Sequence, residues 1–456
     1  MAERASDDVS DAAPVIVAAL RPRIGVILAA GRSERLSTLT RNGSKALIRL
    51  GGMTLVERAV RGLLSCGIED VVVVVGHHAG PVADIVNGLV PGRVRSVYAE
   101  GWEAGNGASL AAAEPFVSDE ELFALVTADH VFGEGALGSL LSAGGPAVLV
   151  DHGPAPAAWG EGTRVRIEDG AARAFGKELA APAIDCGAFV LPSRIFAYQR
   201  RSTERGDASL SGAVTALASA EPLKAMPLTP GTWWHDVDTP VDVRTARELL
   251  RRSLRKPADG PVSRLLNRPV STRISMALAS LRPSPDLVSF VALLLGVIAA
   301  GALALGWGVL GGVLVHLTSV IDGVDGEVAR LQQRARPFGA FLDGIVDRLA
   351  DAAIVAGLGV WAVRSSGDGP VVWLVVAATA GSLLSMSSKD RIAALGLPAP
   401  PERGPGYALG GRDGRLLLIA VGAVFGRPVL ALAAVTVTSA LALVLRAIGV
   451  RARAGR

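Results

Sequence analysis

Four aspartates, Asp322, Asp325, Asp343 and Asp347, recur at offsets of three, eighteen and four residues among apolar runs long enough to cross a bilayer. On a helix, Asp343 and Asp347 stand one turn apart on one face, and Asp322 and Asp325 form a similar pair at the end of the preceding run. An ionised side chain at membrane depth costs roughly 2.5–3.5 kcal/mol on insertion scales, so four of them require a counter-charge. Oxygen-only ligands suit Mg²⁺, Mn²⁺ or Ca²⁺ held between two helices. The bland reading of the same residues is helix-end aspartates snorkelling to the interface, or an ion-pair network with Arg330 and Arg348.

The first half of the chain carries a second set of candidates. Asp129 follows the apolar run 122–127, at the end of a parallel strand, where open α/β sheets place ligands. Asp236 and Asp238 alternate within 232–240 and so share one face of an extended segment. Leu28, Ala29, Ala30 and Gly31 close a buried strand and lead through Ser33 into a helix. Backbone N–H groups of such a loop suit phosphates, and Arg32, Arg35 and Lys45 add positive charge. Polar Asn106 and Ser109 flank Gly107 in a loop able to approach a base edge. His235 reads as a structural histidine, and Asp236 as a turn or cap residue as readily as a ligand.

The elements that must hold these groups fall into two halves. Residues 1–22 read as a flexible leader without a secretory signal, and 23–255 alternate strands and helices. A turn-rich break at 256–261 opens a linker, 256–285, whose stretch 262–281 reads as an amphipathic helix on anionic lipid. Residues 286–450 are an apolar half, and 451–456 a basic tail. From 287 to 321 there is no Asp, Glu, Lys or Arg. One helix over that run would rise ~50 Å against a hydrocarbon core of ~30 Å, so two spans turning at 306–308 fit better. Further spans at 338–363, 371–388, 415–425 and 428–445 make six, with both chain ends on one side. Basic residues crowd the two long connections, 322–337 and 389–415, which places these, the soluble half and the tail in the cytoplasm.

Composition excludes several classes. A net charge of +4 over 456 residues, with arginines gathered beside the apolar half, is membrane topology rather than nucleic-acid binding. Two cysteines, Cys66 and Cys186, cannot organise a disulfide scaffold.

The pattern D-x2-D-G-x2-A-R-x8-G-x3-D-x3-D, filled by Asp322, Asp325, Gly326, Ala329, Arg330, Gly339, Asp343 and Asp347, resembles the signature of the CDP-alcohol phosphotransferases. The resemblance implies Asp322, Asp325, Asp343 and Asp347 as metal ligands and Asp347 as general base. Gly326 and Gly339 would allow close approach of nucleotide or helix, and Arg330 would pair a phosphate or support an aspartate. Arg268, Lys389, Arg391, Arg412 and Arg415 are cytoplasmic-face cations that either hold a phosphorylated acceptor or only set topology. Members of this membrane class are often homodimers.

The loop 28–36 with Lys45 resembles the sugar-phosphate nucleotidyltransferases, with Ser33 in place of a second glycine and Ser44 in place of proline. The implied fold is a Rossmann-like α/β domain with a mostly parallel sheet, followed here by an all-α integral membrane domain of six transmembrane helices. The resemblance implies Mg²⁺, with Mn²⁺ as substitute, between Asp129 and Asp238 (Asp236 standing by), and Lys45 and Arg35 stabilising transition-state charge. Asn106, Gly107 and Ser109 would help bind the pyrimidine of CTP, Lys177 would meet a sugar phosphate and Asp185 its hydroxyls, as in inositol-1-phosphate cytidylyltransferases.

The order and size of the two halves resemble the fused cytidylyltransferase and di-inositol phosphate phosphate synthase family, over residues 24–450. That implies a multi-pass enzyme of the cell inner membrane that takes CTP and a polyol phosphate, makes a CDP-alcohol and then consumes it. Two rivals are CDP-glycerol or another CDP-polyol with a lipid or polyol acceptor, and a nucleotide-sensing domain regulating a phospholipid synthase.

Overall fold

The computed structural model describes residues 21–32, 34–40, 43–154, 159–160, 162–256, 259–367, 369–398, 400 and 405–454. Ser33, residues 1–20 of the expected leader and the last two residues of the tail lie outside these. The chain divides into two compact units, Met1–Ile48 with Leu55–Asp242, and Arg49–Thr54 with Val243–Arg456. The division falls inside helix Pro240–Ser253, ahead of the 255/256 boundary that composition suggests.

In chain order the strands are β1 (Ile24–Ala29), β2 (Arg49–Leu50), β3 (Met53–Thr54), β4 (Asp70–Val75), β5 (Val94–Tyr98), β6 (Leu122–Thr127), β7 (His130–Phe132), β8 (Ala147–Asp151), β9 (Arg164–Glu168), β10 (Ala171–Gly176), β11 (Ala183–Pro192), β12 (Leu223–Pro227) and β13 (Trp234–Asp236). Nine form one sheet in the order β5-β4-β1-β6-β11-β8-β12-β10-β9. The five valines of β4 are buried on both faces, as a central parallel strand requires. Strands β5, β4, β1 and β6 run parallel, but β11 is antiparallel to both β6 and β8, and β9 and β10 pair antiparallel. The sheet is therefore mixed rather than mostly parallel. The parallel half is what positions chemistry: Leu28 pairs with Thr127, so the loop after β1 and Asp129 after β6 emerge at one edge. The short ribbon β7–β13 pairs Asp236 with His130 and carries the 236–238 carboxylates to that edge.

The second unit is helical. Helix α1 (Arg268–Leu278) precedes α2 (Pro285–Ala304), α3 (Gly308–Leu331), α4 (Pro337–Ser366), α5 (Gly369–Ala394), α6 (Arg412–Val424) and α7 (Pro428–Ala454). Among the described residues, α2, α3, α5 and α7 are long and apolar enough to cross a membrane. Of the two remaining expected spans, α6 is only 13 residues long. Helix α4 has 30 residues, but its first half carries Asp343, Asp347, Arg348 and Asp351. Outward-facing Leu287, Phe290, Leu294 and Ile298 leave α2 with an exposed apolar surface, as lipid contact demands. Small residues face inward. A Cβ at Gly357 would run into the backbone of Ala300, so this glycine sets how closely α4 approaches α2.

Candidate active sites

In the helical unit, α3 supplies Asp322 and Asp325, and α4 supplies Asp343 and Asp347. Carboxylate oxygens of Asp322, Asp343 and Asp347 all lie within 4.8 Å of one another. Asp325 accepts a hydrogen bond from Ser289 Oγ of α2 at 2.5 Å. Arg412, at the start of α6, pairs with Asp322 and reaches Asp347 Oδ1 at 3.2 Å and Asp351 Oδ1 at 3.0 Å. Asp351 continues the one-turn ladder from 343 and 347 and is buried. It also faces Arg415 Nη2 at 3.7 Å. A cleft of about 690 Å³ opens beside Asp343 and Asp347, and Arg348, Lys389, Arg412, Arg415 and Arg446 line it. Arg446 comes from α7 and donates to the Ser385 carbonyl at 2.6 Å. The cleft brings carboxylates and cations together, a charge layout that suits a phosphate ester beside bound cations.

In the α/β unit, Lys45 Nζ lies 2.5 Å from Asp129 Oδ2 and 2.6 Å from Asp238 Oδ1. Ser44 caps the turn that carries Lys45, accepting the Ala46 N–H at 3.2 Å. Arg35 stands 4.0 Å from Asp238. Burial works against the Lys45 ammonium, but Asp129 and Asp238 hold its pKa above the ordinary lysine value. Asp129, despite its own burial, is held well below the usual carboxylate range by Lys45 and His130. His130 bonds Thr127 and Asp129, and its ring stacks on Trp234 with centroids 5.4 Å apart. Burial opposes its charge, yet Asp236 and Asp129 push its pKa up to about 9. Burial raises Asp236 to about 6. Asp129, His130 and Asp236 present ligand atoms within 4.8 Å of one another. The adjoining cleft, about 550 Å³, is lined by Asn106, Asp129, Lys177, Asp185, Asp236 and Asp238 among others. It joins a nucleotide-sized space to a pair of carboxylates and a lysine.

Comparison with known proteins follows this division. Residues 25–180 match the MobA-like NTP transferase domain, and residues 283–403 match CDP-alcohol phosphatidyltransferase. The chain is 39% identical over 415 residues to a bifunctional IPC transferase and DIPP synthase of Rubrobacter xylanophilus, a match that covers 90% of this chain and 92% of that one. This chain belongs to that bifunctional family. A relative from Aquifex aeolicus with the same name is 31% identical, covering 88% of this chain and 92% of its own. Among solved structures, the inositol-1-phosphate CTP transferase from T. maritima matches with a TM-score of 0.47 at 22% identity, covering 52% of this chain and 99% of that one. The first unit is thus a nucleotidyltransferase domain, and the second a membrane-associated CDP-alcohol phosphotransferase domain.

About half of the expected residues of the transferase domain gather at one cleft: Asp129 and Asp238 line it, with Lys45 and Arg35 beside them. Asn106, Lys177 and Asp185 line it, but Ser109 is buried away from it. Gly107 is needed for a different reason than close approach of a base: its N–H donates to the Ala208 carbonyl at 2.9 Å, and a Cβ would collide with that carbonyl. Leu28, Ala29 and Ala30 are buried beneath the loop, whereas Gly31 is exposed and a Cβ there would meet nothing within 4 Å. Asp185 accepts the Gly187 N–H at 2.6 Å, and Gly187 has φ +69°, so this tight turn aims the carboxylate. His235 sits 3.6 Å from Asp242.

In the phosphotransferase domain, Lys389, Arg412 and Arg415 line the cleft. Arg391 is exposed and outside its lining. Arg268 points elsewhere, to Asp259 and Glu327. Arg330 donates to the Leu254 carbonyl at 3.0 Å. Around Gly326 a Cβ would meet only Arg330 Nη1 at 3.4 Å, and around Gly339 nothing within 4 Å, so packing does not dictate a glycine at 339. Asp351, Arg446, His130 and Trp234 were not singled out from sequence. The i, i+4 ladder was a signal for Asp351; Arg446 and Trp234 depend on contacts distant in the chain, and His130 joins its neighbours Thr127 and Asp129 to the distant Trp234. Both acidic clusters offer hard oxygen donors, joined by the His130 imidazole in the α/β unit, which suits Mg²⁺ or Mn²⁺.

Proposed function

We propose that the chain runs two consecutive reactions. In the first, a phosphate oxygen of inositol 1-phosphate attacks the α-phosphorus of CTP. The bond to the β-phosphate breaks, giving CDP-inositol and diphosphate. In the second, a hydroxyl of another inositol 1-phosphate attacks the phosphorus that carries inositol in CDP-inositol. The bond to CMP breaks, giving di-myo-inositol phosphate phosphate and CMP. The observation that carries this reading is one chain holding two separate acid-and-base clefts, one in a domain that makes nucleotide-linked donors and one in a domain that uses CDP-linked donors.

Lys45 and Arg35 offset charge that develops on the α-phosphate, while Asn106 meets the base. Lys177 receives the phosphate of the polyol and Asp185 its hydroxyls. In the membrane domain Asp347 takes the proton of the attacking hydroxyl. Lys389, Arg412, Arg415 and Arg446 hold the phosphate of the acceptor, which favours a phosphorylated polyol over a neutral alcohol. Asp129 with Asp238 or Asp236, and Asp322, Asp325, Asp343 and Asp347, would hold Mg²⁺. When bound, the cation supplies neutralisation of phosphate charge.

The six helices α2–α7 are read as six spans in the cell inner membrane, with the nucleotidyltransferase domain and both clefts on the cytoplasmic side. Val270 of α1 and the outward Leu265, Leu266 and Leu281 that flank it meet membrane lipid, and the membrane domain pairs as a homodimer.

The test uses detergent-solubilised protein with CTP, Mg²⁺ and a panel of polyol phosphates, following diphosphate and CMP separately. Release of both with inositol 1-phosphate alone is expected. Diphosphate with a different polyol phosphate only would reject inositol, and a chloroform-soluble product would point to a lipid acceptor.

A further inference from the structure

Glu327 lies inside the aspartate motif and yet has no place in the cleft. It is fully buried. At 3.6 residues per turn it stands roughly 140° around α3 from Asp322 and roughly 160° from Asp325, on the rear face of the helix that presents them. Its carboxylate is saturated by α1: Arg268 Nη1 donates at 2.5 Å, Ser271 Oγ at 2.7 Å and Ser275 Oγ at 2.6 Å. Arg268 is in turn held by Asp259, donating from Nε and Nη2 at 2.8 Å each. Gly323 makes room for it, since a Cβ there would come within 3.0 Å of Arg268 Nη1.

Helix α1 and the segments flanking it thus turn a polar face inward, beside Ile274 and Leu278, which pack with Val324 and Val328 of α3. Ser263, Asn267, Arg268, Ser271, Thr272 and Ser275 are buried, while Leu265, Leu266, Val270 and Leu281 face outward. Asn267 adds a second tie, donating to Ser319 Oγ of α3 at 2.9 Å. Apolar packing alone tolerates rotation of one helix on another. A buried carboxylate with three directed donors does not, because any turn leaves polar groups unpaired.

We propose that Glu327 is a positioning residue for the phosphotransferase reaction: clasped by Arg268, Ser271 and Ser275, it fixes the rotation of α3 so that Asp322 and Asp325 face α4. This rests on the reading of those aspartates as cation ligands. Supporting groups behind metal ligands typically change affinity 10–100-fold when altered. Glu327→Gln keeps the shape but removes the charge that holds Arg268.

The experiment uses the full chain in detergent, supplied with CDP-inositol and inositol 1-phosphate, and titrates Mg²⁺ against CMP release. Binding of Mn²⁺ is measured in parallel by electron paramagnetic resonance in an Asp129→Asn/Asp238→Asn background, where bound Mn²⁺ reports the membrane domain. For Glu327→Gln we expect the half-saturating Mg²⁺ and the Mn²⁺ dissociation constant to rise together, about tenfold. Ser275→Ala, which removes one hydrogen bond and no charge, should shift both in the same direction by less, and it serves if the Gln variant does not fold. Lower turnover with unchanged cation dependence would overturn the proposal and leave Glu327 a packing residue; no change at all would overturn it too. Failure of the underlying reading looks different: Mn²⁺ would not bind the Asp129→Asn/Asp238→Asn protein even with Glu327 intact.

Discussion

Lys45 and Arg412 occupy equivalent roles in unrelated surroundings, each a buried or half-buried cation shared among carboxylates. Lys45→Ala removes the charge between Asp129 and Asp238. Diphosphate release should fall by about 10²–10³, with CMP release from supplied CDP-inositol unchanged. Asp347→Asn should do the reverse, abolishing CMP and letting CDP-inositol accumulate, which nucleotide chromatography would reveal. Equal loss of both products in either variant would contradict the division of labour. His130 adds a pH dependence. Its folded pKa of about 9 lies above the unfolded value near 6.5, so its stabilising contribution is complete below about 6.5 and lost as pH rises through 9. The effect is on the order of 3 kcal/mol as an upper bound. In EDTA, the unfolding temperature should drop between pH 7 and 9.5, and drop less in His130→Gln.

At the scale of elements, close helix contact rests on absent side chains. Gly357→Val should push α4 from α2 and cost about 1–3 kcal/mol, read as a lower unfolding temperature in detergent with the Mg²⁺ dependence unchanged. The aspartate ladder of α3 and α4 was legible in the sequence because helical spacing is local, and so was each of the six helices, because charge and glycine interrupt the apolar runs. The parallel edge around Asp129 was legible from its long buried strands. The reversal at β11 was not: strand direction is decided by partners far away in the chain, and no turn residue announces it. Similarly, periodicity marks α1 as two-faced but does not say which face turns inward. That depends on Glu327, which lies 52–59 residues beyond its three donors. Arg268 therefore reads as a surface cation in sequence and proves to be an interior one.

At the scale of the whole molecule, one chain makes an intermediate and consumes it. With CTP and inositol 1-phosphate as sole substrates, diphosphate should appear first and CMP after a lag that shortens when CDP-inositol is added. A lag insensitive to added CDP-inositol would mean the intermediate does not pass through free solution. If α2–α7 are six spans, cysteines placed near Val262 and near Arg451 should label from the same side of sealed vesicles, and labelling from opposite sides would reject an even number. Helix α4 carries a consequence of its own. Its 30 residues rise ~45 Å, about 15 Å more than a hydrocarbon core of ~30 Å. If α4 is a span with Ser366 at the far surface, Asp347 lies ~28 Å along it, at the rim of the oil, and Asp343 ~34 Å along it, just beyond. Water-soluble substrates then never need to shed their hydration into lipid, and the bilayer serves as a jig of fixed depth. Such a jig is sensitive to its thickness: longer acyl chains would draw those turns under, and turnover in vesicles should fall as the lipid tails lengthen.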